Sequence, residues 1–128
     1  MRHLQAIDIR ATLRRGKSVE QFLGRSPADR DCIRHVELRP VKGRVEVWVY
    51  DVEDIGSEEC PDVYDFPYLE PGGPACPVAR FDEPGDALVY ASTSLAADPS
   101  RWVNVGVAAS EYLDYVRTGR PPRWPNAA

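Results

Sequence analysis

Eight carboxylates lie between Asp51 and Glu70, and this segment holds the residues most able to do chemistry. The acidic residues are Asp51, Glu53, Asp54, Glu58, Glu59, Asp62, Asp65 and Glu70. Three aromatic residues, Tyr64, Phe66 and Tyr68, are interleaved with them, and no Lys or Arg occurs between Arg44 and Arg80. Such a segment is either a solvated loop or a docking surface for a basic partner, in which charge speeds association and aromatic anchors supply affinity.

We predict a non-enzymatic protein-interaction module in which this segment binds a basic protein. The predicted partner-binding residues are Asp54, Glu58, Glu59, Asp62, Tyr64, Asp65 and Tyr68. The alternative is an enzyme that uses carboxylates of residues 51–70. No motif among these acids defines an acid/base pair, so the sequence names no catalytic residue.

A second alternative is a metal-binding protein. Cys32 and His35 are separated by two residues, and Cys60 and Cys76 could complete a set of four zinc ligands. Residues three apart in a strand point to opposite faces, however, and neither distal cysteine belongs to a C-x-x-C pair. A calcium loop starting at Asp51 lacks a side-chain oxygen at its fifth position, which is Ile55. We therefore predict no metal site.

Other catalytic patterns are absent from the sequence. Only two histidines occur, His3 and His35, and there is no G-x-S-x-G, H-E-x-x-H, Walker or G-x-G-x-x-G motif. The sequence therefore favours a non-enzymatic protein and predicts no cofactor.

The composition limits the class of partner and the compartment. With 128 residues and 43% hydrophobic content, a single domain over residues 1–128 is expected. There is no run of about 18 apolar residues and no apolar signal core, and the cysteine count of three is odd, so we expect a cytoplasmic protein that does not bind membranes. Residues 51–100 carry twelve acidic and one basic residue, which argues against nucleic-acid binding there.

In composition the chain is similar to small acidic immunity proteins that neutralise secreted toxins. The similarity rests on an acidic α+β chain with an aromatic and acidic loop, and on no motif. It would imply a toxin as the basic partner.

The element that must position this loop is a β-hairpin over residues 33–53. Valines alternate with other residues from Val45 to Val49, and Gly43 can adopt the positive φ of a tight turn. A two-residue loop, Lys42-Gly43, would place Leu38 opposite Val47 and would put the apolar side chains on one face. These apolar residues are Val36, Leu38, Val47 and Val49.

The remaining chain completes a small single-domain α+β fold with an antiparallel sheet centred on this hairpin. Two main helices, at about 83–97 and 105–118, are predicted to pack on the apolar face. Short helices are also predicted near residues 4–15 and, from a capping-box spacing at Ser18, near residues 18–24. An acidic, proline-rich excursion covers about 54–77, and an extended tail covers about 120–128.

Overall fold

The computed structural model describes residues 2–125 and shows a five-stranded antiparallel sheet with three helices. In chain order the elements are α1 (Ala6–Arg14), β1 (Val19–Arg25), β2 (Cys32–Val41), β3 (Arg44–Glu53), β4 (Ala79–Phe81), α2 (Pro84–Ser94), β5 (Val103–Asn104) and α3 (Ala108–Arg117). The strand order is β4-β3-β2-β1-β5, and a single 3-10 turn spans Val63–Asp65. The predicted α+β class with a sheet centred on the hairpin is confirmed. No helix within residues 2–125 is long and apolar enough to cross a membrane.

The hairpin has the register that its sequence predicts. Leu38 pairs with Val47, and Val41 pairs with Arg44 across a loop of Lys42 and Gly43. Both loop residues have positive φ, 51° and 77°, as a type I′ turn requires. This turn matches the twist of the strands, so a short loop and the alternating pattern select the same register.

The sheet carries a hydrophobic core on each face. On the first face, α1 and α2 pack on the hairpin valines, and the buried residues include Ile9, Leu13, Val19, Val36, Leu38, Val47, Ala87, Ala91 and Trp102. On the second face lies a separate cluster of Phe22, Ile33, Val52, Val63, Phe66, Ala108, Tyr112 and Tyr115. The first of the two predicted main helices, α2, therefore lies on the expected face, whereas α3 packs on the other one.

Residues 19–24 belong to strand β1, so the predicted helix at 18–24 is wrong. Val19 pairs with Leu38, and β1 lies between β2 and β5, so helices cover it on both sides. Its side chains are buried on both faces, and two of them, Glu20 and Gln21, are polar, so β1 lacks the apolar and polar alternation that identifies a strand. A bulge between Phe22 and Gly24, where Gly24 has a φ of 81°, shifts the register of β1 against β2.

The second face is covered over only part of its area. The helix α3 and the 3-10 turn lie over the end that holds Ile33 and Val52. Toward the other end, Glu37, Trp48 and Tyr50 remain partly exposed. The acidic excursion borders this open area, because Tyr68 forms a β-bridge to Val52.

Candidate functional site

The acidic loop, residues 54–77, is fixed to the body of the protein at its start and at its centre. At the start, Asp54 accepts hydrogen bonds from the Tyr112 hydroxyl at 2.6 Å and from Arg120 Nε at 3.0 Å. In the middle, Val63 and Phe66 are buried in the second-face core. The loop therefore holds a defined conformation although it contains little regular structure.

The predicted partner-binding residues divide into two groups in the structure. Asp54 is committed to contacts within the fold, and the Tyr64 hydroxyl donates to Glu20. The remaining five are exposed, and they are Glu58, Glu59, Asp62, Asp65 and Tyr68. Glu58 lies 3.6 Å from Arg117 in an exposed ion pair, and Asp62 accepts from the Tyr64 amide at 3.2 Å, where it caps the 3-10 turn.

A row of aromatic side chains runs beside this loop across the open part of the second face. The ring centroids of Trp48 and Tyr50 are 6.4 Å apart and nearly parallel, and those of Tyr50 and Tyr68 are also 6.4 Å apart. The guanidinium group of Arg39 lies 4.3 Å over the Trp48 ring. The chain thus already places one cation on an aromatic surface at this position.

Between the aromatic row and the start of α3 lies a cavity of about 190 Å³. Its polar and aromatic walls are formed by Glu20, His35, Glu37, Tyr50, Tyr64 and Tyr68. The glutamates come from β1 and β2, and the tyrosines come from β3 and the acidic loop. The cavity therefore forms only when these distant segments have come together.

The buried Glu20 side chain lines this cavity, and its carboxylate holds the start of α3. One of its oxygens, Oε2, accepts hydrogen bonds from the amides of Gly106 and Ala108, each at 3.1 Å, and from the Tyr64 hydroxyl. The residue is 3% exposed, and this burial raises the pKa of the carboxyl group against the lowering effect of the three donors.

Glu37 differs from Glu20 because it has a cationic partner. It accepts hydrogen bonds from Arg39, from the Ser18 hydroxyl at 2.6 Å and from the Tyr50 hydroxyl at 2.7 Å. Burial alone would raise the pKa of Glu37, but these donors outweigh it and hold the pKa below its usual value. Burial and the hydrogen bond to Glu37 together raise the pKa of Tyr50.

His35 lies between two of the cavity's aromatic rings. It stacks on Tyr50 at 4.9 Å between centroids and meets the edge of Tyr64 at 5.8 Å. Burial lowers the pKa of His35 to about 4, although the charges of Glu37 and Asp51 act in the opposite direction. The ring is therefore neutral at pH 7, and its buried Nδ1 atom has no hydrogen-bond partner among residues 2–125.

The structure does not assemble the four residues of the alternative zinc site. Cys32 is buried, whereas Cys60 and Cys76 are exposed and His35 lies on the other sheet face from Cys32. Within residues 2–125, no group of three or more His, Cys, Asp or Glu side chains is placed to hold a metal ion.

The cavity was not predicted from the sequence, because the predicted helix over residues 18–24 included Glu20 and the predicted hairpin did not connect Glu37 with the loop. The one available signal was the pairing of His35 with Tyr50 across the hairpin, which the register predicts. Comparisons of the chain with protein-family models, with curated proteins and with solved structures found no match.

Proposed function

We propose that this protein is a non-enzymatic interaction module that binds a basic protein through the acidic loop and the aromatic row of Trp48, Tyr50 and Tyr68. The proposal includes a cytoplasmic location, which three free cysteines, two of them exposed, support. The binding surface is the open part of the second sheet face together with the loop that borders it.

The observation that carries the proposal is the position of the loop's exposed charges beside partly exposed aromatic rings. Glu59, Asp62 and Asp65 form no ion pair with any residue in 2–125, and Tyr64 and Tyr68 are 38% and 39% exposed. Charges in this position steer a basic partner, and aromatic rings desolvated at the centre of an interface supply affinity.

The anchoring of the loop adds to this argument. Because Asp54, Val63 and Phe66 hold the loop against the body, its charges are presented in a fixed arrangement before a partner arrives. Less conformational entropy is then lost on binding than for a mobile acidic segment.

The test compares two variants that remove three acidic residues each. The loop variant changes Glu59, Asp62 and Asp65 to Ser, and Ser at position 62 can still cap the 3-10 turn. The control variant changes Asp8, Glu83 and Asp86 to Ser, and these exposed residues lie in α1, directly before α2 and in α2, on the opposite side of the sheet. Both variants raise the net charge by the same amount.

In a pull-down from the source cell, the wild type and the control variant should capture a basic protein, and the loop variant should lose it. With the purified partner, the loop variant should mainly slow association, and Tyr68→Ala should mainly speed dissociation. Wild-type association should fall between 0.1 M and 1 M salt, as the Debye length shrinks from about 10 Å to about 3 Å. A loop variant that captures the partner at the wild-type rate across this range would refute the proposal.

A further inference from the structure

The buried glutamates of this protein differ in whether an arginine is paired with them. Glu46 and Glu111 are each paired with an arginine, at 3.1 Å from Arg80 and 2.8 Å from Arg101. Glu20 is as deeply buried as these, yet it forms no ion pair with any residue between 2 and 125. Buried carboxylates in proteins are normally paired with a cation, because an isolated buried charge is costly.

The hydrogen bonds of Glu20 are also unevenly distributed. All three donors, the amides of Gly106 and Ala108 and the hydroxyl of Tyr64, bond to Oε2. Within residues 2–125, the other oxygen, Oε1, receives no hydrogen bond. One oxygen therefore holds the start of α3, and the other is left for a group from outside the chain.

The walls of the cavity suit a cation. Aromatic rings of Tyr50, Tyr64 and Tyr68 line it, and the electron-rich face of an aromatic ring attracts positive charge. The other carboxylate, Glu37, is already neutralised by Arg39, so Glu20 is the one uncompensated charge among the residues that line the cavity. A single positive charge would balance it.

The remaining polar wall of the cavity is an imidazole. His35 is 5% exposed and lines the cavity, and it stacks on Tyr50. Burial keeps this ring neutral at pH 7, so it does not repel a cation.

The size of the cavity limits what can enter. Its volume of about 190 Å³ is below the roughly 300–1,000 Å³ of sites that enclose a whole small molecule. This space fits the head group of one side chain better than a metabolite.

We propose that the cavity takes one basic side chain, a lysine ammonium or an arginine guanidinium, from the protein partner, with the Glu20 carboxylate as its counter-charge. The proposal rests on the proposed function, since it names the contact that would anchor a basic partner beside the acidic loop. The rings of His35, Tyr50 and Tyr64 form the walls around the bound head group.

The experiment is a titration of the ¹⁵N-labelled protein, followed by NMR, with three amino-acid amides. The probes are N-acetyl-arginine amide, N-acetyl-lysine amide and the neutral N-acetyl-citrulline amide, which has nearly the shape of the arginine probe. At least one basic probe should shift the amide signals of Gly106 and Ala108, which bond to Glu20, and the citrulline probe should not.

Three variants locate the binding. Glu20→Gln should weaken binding of the basic probe roughly ten- to hundredfold, because it removes a charge-assisted hydrogen bond. Val105→Trp, at a 57% exposed residue of the cavity wall, should block entry while it keeps Glu20 and its hydrogen bonds. Glu53→Gln removes an exposed carboxylate outside the cavity and should bind the basic probe like the wild type.

The inference is overturned if citrulline amide binds as well as arginine amide, or if Val105→Trp binds the basic probe like the wild type. The second criterion holds even if Glu20→Gln fails to fold. Suppose that the loop acids are needed to capture the partner, but that Val105→Trp and Glu20→Gln bind it as the wild type does. This result would refute the proposed role of the cavity and leave the proposed function standing. Capture that does not depend on the loop acids would refute the proposed function, whatever the cavity binds.

Discussion

The hydroxyl group of Tyr112 donates a hydrogen bond of 2.6 Å to Asp54, and so the last helix holds the first residue of the acidic loop. Burial and the Asp54 charge together raise the pKa of Tyr112 to about 12, so the phenol remains a donor at neutral pH. Arg120 Nε also donates to Asp54, at 3.0 Å. The position of Asp54, where the loop begins, is thus fixed by one residue of α3 and by one residue of the segment that follows α3.

Removal of this hydroxyl should loosen the loop at a cost in stability. Tyr112→Phe keeps the ring in the core but removes the bond to the Asp54 carboxylate, and it should lower the free energy of unfolding by about 1.5–3 kcal/mol. Hydrogen exchange at the amides of residues 55–60 should become faster. As a control, Tyr90→Phe removes a hydroxyl that bonds to no residue in 2–125, and it should leave loop exchange unchanged.

Val47 should contribute to stability as a core residue of the first face. It is fully buried, and Val47→Ala should lower the free energy of unfolding by about 1–3 kcal/mol in a urea melt. Val89→Ala makes the same chemical change at a residue that is 61% exposed on α2, and it should change stability by less than about 0.5 kcal/mol. Equal losses in the two variants would contradict the assignment of faces.

His35 should make the stability of the protein depend on pH. Its pKa is about 4 in the folded protein and about 6.5 when the chain is unfolded, so only the unfolded chain takes up a proton between these values. The contribution is complete above pH 6.5 and is lost as the pH falls toward 4, and it amounts to roughly 3 kcal/mol.

The measurement is the difference in unfolding free energy between the wild type and His35→Phe at several pH values from 7 to 4.5. The facing carboxylates, Glu37 and Glu20, are present in both proteins, so the difference reports mainly on the imidazole. The raised pKa of Glu20 acts in the opposite direction, since it favours the folded state at low pH. A difference that stays constant over this range would show that His35 is not buried as a neutral ring.

Gly56 should be required for the packed conformation of the acidic loop. A Cβ atom at this position would collide with the rings of Phe66 and Tyr112 and with the carbonyl oxygen of Cys60. Gly56→Ala should therefore cost about 1–3 kcal/mol as an overpacked substitution. Ser57→Ala, the control, removes only an exposed hydroxyl contact to Glu59 and should change little in thermal or urea unfolding.

The hairpin could be predicted from the sequence because its information is local. The positive φ values of Lys42 and Gly43 and the alternating valines lie within a few residues of each other. The predicted register is therefore observed in full, including the pair of Arg39 with Glu46.

Strand β1 and the cavity could not be predicted in this way, because distant residues decide them. The spacing from Ser18 to Gln21 resembles a helix start, yet pairing to β2 and β5 makes this segment a strand. Glu20 acquires its role only through amides 86 and 88 residues further along the chain. Nothing in the local sequence around Glu20 reports these partners.

The acidic loop could be predicted in part from its own sequence. Its composition indicated an exposed, acidic segment, which is correct for Glu59, Asp62 and Asp65. The buried positions of Val63 and Phe66 depend on the rings of α3 and so were not visible from the loop itself.

The long separation between Glu20 and the start of α3 also sets an order of events during synthesis. Chains are made at about 5–20 residues per second, so the 88 residues from Glu20 to Ala108 take roughly 4–18 seconds to appear. The hairpin can close within microseconds of emerging, whereas the outer edge of β1 has no partner until β5 leaves the ribosome. For those seconds the nascent chain carries an unpaired strand edge, and this edge is the feature that a chaperone or a neighbouring chain would meet first.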